Sequence, residues 1–150
     1  MSSAPWIWSH ECNFYSDMTV AHSVMQEVLR QLTRMSWTSQ DLFAVEMALE
    51  EAFANAIHHG NRDDQRKKVF FSCQISETLI RIQIEDEGEG FNHVSVPDPR
   101  EPDNLERASG RGVFLILNFM TRVSYSECGK RILMEKDISL SGDKIRQQTT

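Results

Sequence analysis

Apolar residues recur along this chain with two periods, and each period marks a different kind of element. Residues Trp6, Ile7 and Trp8, with those that follow, predict a short first strand. Ser16 or Asp17 then stands where a helix cap is needed. After it Val20, Val24, Val28 and Leu32 repeat at helical spacing, with Ala21, Met25 and Leu29 widening the stripe. Thr38-x-x-Asp41 reads as a capping box for a longer helix. Its core stripe is Leu42, Val45, Leu49, Ala52, Phe53 and Ala56, and Gly60-Asn61 is the expected stop.

The period then changes to two. Val69, Phe71, Cys73 and Ile75 predict one strand, and Ile80, Ile82 and Ile84 a second, with a turn at Ser76-Glu77 between them. Continuing the second alternation puts Asp86 on the apolar face. An unpaired buried polar group costs about 1–3 kcal/mol, so a carboxylate there needs a partner. Residues 91–109 show little periodicity and hold Pro97, Pro99 and Pro102. A loop of that length is often a lid or a binding loop. The stretch 112–120 is apolar and helix-like. Val123–Tyr125 and Ile132–Met134 read as two strands about a turn at Glu127–Gly129. The order strand, helix, helix, strand, strand, lid, helix, strand, strand predicts a two-layer α/β sandwich. Its sheet is mixed but mainly antiparallel, with the helices on one face.

Composition narrows the function more than the fold. The 150 residues carry a net charge of −6, with 40% hydrophobic and 25% charged residues. That suits one globular domain over 1–138, followed by a polar tail over 139–150. The acidic balance and the lack of a dense Lys/Arg block argue against direct nucleic-acid binding. No apolar run approaches the ~18 residues that span a bilayer, and no signal peptide is visible, so membrane attachment is not expected. Cys12, Cys73 and Cys128 are odd in number and far apart. They fit a reducing cytoplasm, and all three are expected to be small buried hydrophobes.

The candidate chemistry lies at the end of the second helix and in two glycine-spaced segments. Glu51, Asn55 and His59 stand at i, i+4 and i+8, the spacing of one helix face. Asn55 offers a hard oxygen to Mg²⁺, and Glu51 a carboxylate that can take a proton from an attacking hydroxyl. The bland alternatives are a solvated amide and a surface glutamate. His59 either meets a phosphate or metal shell or only packs at the helix end. Asp86-x-Gly88-x-Gly90-Phe91 and Gly110-Arg111-Gly112 flank the long loop. Gly88, Gly90, Gly110 and Gly112 are either turn glycines or places where backbone N–H groups approach phosphates. Arg107 and Arg111 could meet those phosphates with charge-assisted bonds, or be solvated loop charges. Trp6, Trp8, Phe70 and Phe71 suit core or dimer packing better than base stacking.

These motifs resemble those of a known superfamily. Glu51-x-x-x-Asn55-Ala56-x-x-His59-Gly60 looks like the N-box of the gyrase/Hsp90/histidine-kinase/MutL ATPases, and Asp86-x-Gly88-x-Gly90-Phe91 and Gly110-Arg111-Gly112-Val113-Phe114 like its two glycine boxes. The stretch 105–112 and Asn118-Phe119-Met120 resemble the small anti-sigma-factor serine kinases of the SpoIIAB and RsbW type. The chain departs from that branch at Thr121, at Gly60-Asn61-Arg62 and at Ala108. The resemblance implies a Bergerat-type fold with Mg-ATP (ATP and Mg²⁺) as ligand. It implies γ-phosphate transfer to a serine of a STAS-domain anti-anti-sigma factor, and ATP-dependent binding of a sigma factor, usually by a homodimer. On that reading Asp86 meets adenine, Asn55 holds the metal, and Glu51 and Arg107 serve catalysis. A non-catalytic ATP-gated binding module is the alternative. A histidine-kinase catalytic domain fits less well, because no phospho-accepting helix pair precedes these motifs.

Overall fold

The computed structural model describes residues 5–89, 116–126 and 128–138. Strand β1 is Trp8–Tyr15, helix α1 Met18–Arg34 and helix α2 Ser39–Ala54. A six-residue π-helical segment, Asn55–Gly60, continues α2. Strands β2 (Lys68–Ile75), β3 (Leu79–Asp86), β4 (Arg122–Tyr125) and β5 (Arg131–Asp137) follow. Residues 116–119 form a helical turn before β4. The loop expected over 91–109 and the tail over 139–150 lie outside the described residues.

The strands form one sheet in the order β1-β2-β3-β5-β4. All four pairings are antiparallel, so no parallel ladder exists among the described residues. Antiparallel neighbours need only short connections, and β2–β3 and β4–β5 have them. The inward residues Val69, Phe71, Cys73 and Ile75 of β2 and Ile80, Ile82 and Ile84 of β3 are buried, as alternation predicts. They join α1, α2, Ile116 and Met120 in one hydrophobic cluster. The opposite face is polar, in the manner of a one-sided antiparallel sheet.

Both helices start at the predicted caps. Asp17 accepts a hydrogen bond from Thr19 N at 2.9 Å, and Thr38 Oγ1 from Asp41 N at 3.1 Å. The α1 stripe is displaced by one residue from its expected centre. Ala21, Met25, Val28 and Leu32 are buried, whereas Val20 is exposed and Val24 only half-buried. Adjacent apolar pairs fit either phase, and packing against α2 selects between them. In α2, Val45, Leu49, Ala52, Phe53 and Ala56 are buried, and Leu42 is half-buried. Asp41 takes the inward place instead, 3.7 Å from Lys136 Nζ. Lys136 also donates to the Phe119 carbonyl at 3.3 Å, tying the 116–119 turn to the sheet.

The helix end differs from the expected glycine stop. Asn61 N donates to the Ala56 carbonyl at 2.8 Å, an i→i+5 bond that widens the last turn. Asn61 itself has φ −81°, and the left-handed residues come later, at Arg62 (φ 53°) and Asp63 (φ 60°). Such backbone costs about 1–2 kcal/mol per non-glycine residue. It is held by Asp63 N, which donates to the Ile57 carbonyl at 2.8 Å, and by a contact between His58 Nδ1 and Asp63 Oδ1.

The cysteines separate into three environments. Cys73 is buried, and that burial pushes its thiol well up. Cys12 is half-buried. Cys128 is exposed in the β4–β5 turn, contrary to the expectation that all three are buried, because a turn residue has no inward face. Ser126, 3.6 Å from its sulfur, lowers its pKa. Of the aromatic residues, Phe71 is in the core, Phe70 is exposed on the polar face, and Trp6 lies under the Arg81 guanidinium at 5.1 Å.

Candidate functional site

Strand β3 alternates without interruption to its last residue, and the side chain of Asp86 is carried inward with Ile80, Ile82 and Ile84. Only 8% of Asp86 is exposed. Its backbone N–H donates to the Lys130 carbonyl at 3.0 Å, which anchors the strand end to the β4–β5 turn. Its carboxylate accepts one hydrogen bond among the described residues, from Gly88 N to Oδ1 at 2.8 Å. Burial raises its pKa; the Gly88 N–H and the Lys130 charge offset that only in part. The site thus holds a carboxylate with acceptor capacity left over, in a place that penalises its charge.

Two glycines make this arrangement possible. A Cβ on Gly60 would lie 2.3 Å from Asp86 Oδ2, and a Cβ on Gly88 would lie 1.9 Å from the Gly60 carbonyl oxygen. The end of the α2–π unit therefore rests directly on the turn after β3. Side-chain carbon at either position would push Asp86 or the Gly60 carbonyl away.

Glu51 is in α2, and Asn55 is the first residue of the π segment. Both are half-buried, and neither has a side-chain partner among the described residues. They keep the i, i+4 relation across the junction. His59 lies inside the wider turn and is exposed. Its position follows from that winding rather than from the i+8 phase of an α-helix. Gly90, Arg107, Gly110, Arg111 and Gly112 lie outside the described residues.

The donor set suits a nucleotide better than a protein-only metal cage. Among the described residues no three His, Cys, Asp or Glu side chains group as a metal site. Mg²⁺ is bound through few protein oxygens plus phosphates, which a single Asn55 amide oxygen can join. The Asp86 carboxylate can accept from an amine on a ligand. A separate depression of about 270 Å³ on the β1–β2 ladder, lined by residues such as His10 and Gln74, includes none of Glu51, Asn55 or Asp86. Among the described residues no helix is long and apolar enough to cross a membrane.

One residue that the sequence did not single out is central here. Asn61 is fully buried. Its Nδ2 donates to Ser16 Oγ at 2.9 Å and to the Lys68 carbonyl at 3.0 Å, and its Oδ1 accepts from Glu87 N at 2.8 Å. Glu87 Oε1 in turn accepts from Lys68 N. Its place beside Gly60 suggested only a helix stop. Ser16 and Glu87 are 45 and 26 residues away, and no local pattern announces them.

The fold agrees with what the chain is similar to. An anti-sigma F factor of Oceanobacillus iheyensis is 34% identical over 118 residues, covering 73% of this chain and 79% of that protein. A serine-protein kinase RsbW of the same organism is 30% identical over 124 residues, covering 75% and 78%. A crystal structure of RsbU and RsbW domains from Mycobacterium tuberculosis superposes with a TM-score of 0.58 at 12% identity, which speaks for the fold. It covers 89% of this chain, which spans about a third (32%) of that solved one. The family model described as histidine kinase-like ATPase domain matches residues 15–136, and the chain, an α/β sandwich with its helices on one face of an antiparallel sheet, belongs to that family.

Proposed function

We propose that this protein is an ATP-dependent serine kinase that also acts as an anti-sigma factor. It phosphorylates a STAS-domain anti-anti-sigma factor and sequesters a sigma factor. The observation that carries the reading is Asp86, a desolvated carboxylate with acceptor capacity left over among the described residues, at the end of β3 and packed against Gly60, the end of the α2–π unit that bears Glu51 and Asn55. Relatives named anti-sigma F factor and serine-protein kinase RsbW support the same assignment.

In this reading Asp86 accepts from the adenine amine, and Gly88 and Gly90 let the chain turn close to the nucleotide. Asn55 would give its amide oxygen to Mg²⁺, which would neutralise phosphate charge there, and His59 would meet the phosphate or metal shell. Gly110, Arg111 and Gly112 meet the phosphates. Glu51 orients the serine hydroxyl and takes its proton as the oxygen attacks the γ-phosphorus and ADP leaves; Arg107 offsets the charge that develops. Phosphoryl transfer depends chiefly on such positioning and neutralisation. The domain is 1–138, it works in the cytoplasm as a homodimer, and it contacts neither nucleic acid nor membrane.

The test is transfer of label from γ-labelled ATP to a cognate STAS protein. Glu51→Gln is expected to keep ATP affinity and to slow transfer at least ~100-fold, the low end for a positioned base. Wild-type transfer by this variant removes Glu51 from the chemistry. ATP binding without transfer by the wild type leaves an ATP-gated binding module as the function.

A further inference from the structure

We infer that Asn61 is a positioning residue for the nucleotide site, setting where Asp86 stands. The inference rests on the reading of Asp86 as the adenine contact. Asn61 is fully buried and directly follows Gly60, the residue on which the Asp86 carboxylate and Gly88 pack. Its side chain bonds to three separate segments. Ser16 follows β1, Lys68 opens β2, and Glu87 follows Asp86 at the end of β3. The Glu87 N–H lies between Asp86 and Gly88, so the bond at 2.8 Å holds the turn that aims the carboxylate. Ser16 Oγ extends the chain of bonds to the Lys67 carbonyl at 3.0 Å. All the donor and acceptor bonds of the amide are directed inward. This amide shapes the site without facing the ligand.

A buried amide can also serve stability alone, and the two roles separate by ligand selectivity. If Asn61 aims Asp86, then Asn61→Ala must weaken the recognition of the adenine amine specifically. The affinities of wild type and variant are compared for ATP and for purine riboside triphosphate, which lacks the 6-amino group. Wild type is expected to prefer ATP by at least ~10-fold, the scale of one hydrogen bond to a charged acceptor. Asn61→Ala is expected to lose most of that preference. Val28→Ala, a core truncation on α1, is the control that lowers stability without moving the ratio. A ratio in Asn61→Ala equal to wild type makes Asn61 a stability residue and overturns the inference. Should the wild type itself show no preference, the adenine reading of Asp86 falls, and this inference with it. Where Asn61→Ala does not fold, Asn61→Ser carries the same comparison. Amide exchange in the unmodified protein adds an arm that needs no variant. The Glu87 N–H is expected to exchange at least ~100-fold more slowly than an open turn amide, and exchange at the open-turn rate removes the clamp.

Discussion

Two groups of carboxylates sit on the same sheet and are held in opposite ways. At the inner end of β3, Asp86 is buried, accepts a single N–H among the described residues, and has its pKa raised by burial. On the outer face, Glu135 and Asp137 of β5 meet Arg122 of β4 at 2.7 Å, and Glu135 also meets Arg81 of β3 at 2.7 Å. There the hydrogen bonds from Arg122 lower the pKa of both carboxyls. The outer carboxylates have found their partners within the fold. The inner one has been desolvated without an ion pair among the described residues. The difference teaches that the direction of a pKa shift, read with its cause, separates a carboxylate satisfied within the fold from one left with acceptor capacity among the described residues.

The largest effect is expected where the inner region is packed most tightly. Gly88→Ala places a Cβ against the Gly60 carbonyl and should destabilise the protein by about 3 kcal/mol, the upper part of the range for overpacking. Urea denaturation reads this directly, and an unchanged midpoint would mean that the two turns do not touch. An alanine on the outer face at Ser124, in contrast, should leave the midpoint within ~0.5 kcal/mol.

Next in size is Asp86 itself. Asp86→Ala should weaken ATP by about 1–3 kcal/mol in calorimetry. Asp86→Asn should do so while making the unliganded protein more stable at neutral pH. The sign follows from linkage: a carboxyl whose folded pKa is raised above 3.8 contributes stability that is complete below that value and is lost as pH rises through the folded pKa. The amide has no such loss. The advantage of Asp86→Asn should therefore vanish in melts near pH 3, and an advantage that persists there would assign it to packing.

The smallest effect, with the opposite slope, belongs to the outer network. Arg122→Ala should cost about 0.5–1 kcal/mol at neutral pH, since its side chain is half exposed. Glu135 and Asp137 have lowered pKa values, so their contribution is present above the ordinary carboxylate range and lost as pH falls through the folded values. The gap between wild type and Arg122→Ala should close on acidification and narrow in high salt. Insensitivity to both would show that these pairs contribute no electrostatic stability.

Much of this comparison was legible in the chain. The alternation of Ile80, Ile82 and Ile84 by itself carries Asp86 inward, because strand period is rigid over eight residues. The capping residues Asp17 and Thr38 were legible for the same local reason. The phase of α1 was not, since neighbouring apolar residues left two stripes open and only α2 distinguishes them. The π-helical winding of Asn55–Gly60 was hidden because nothing in Asn-Ala-Ile-His-His-Gly forbids an α-helix. Asn61 was hidden for a different reason: its bonds reach the ends of three strands, two of them far off in sequence, and sequence patterns report neighbours.

The reach of Asn61 also has a consequence in time. Its bond to Ser16 spans 45 residues and its bond to Glu87 spans 26. Local helices form early and fast, whereas contacts of this separation wait for loop closure. A chain with α1 and α2 formed but β1, β2 and β3 not yet docked has Glu51 and Asn55 on their helix, with nothing to set Asp86 opposite them. On the proposed assignment of Asp86, Glu51 and Asn55, binding competence waits for the closing of the sheet, and a nascent chain released before β3 is complete lacks the carboxylate that meets the nucleotide.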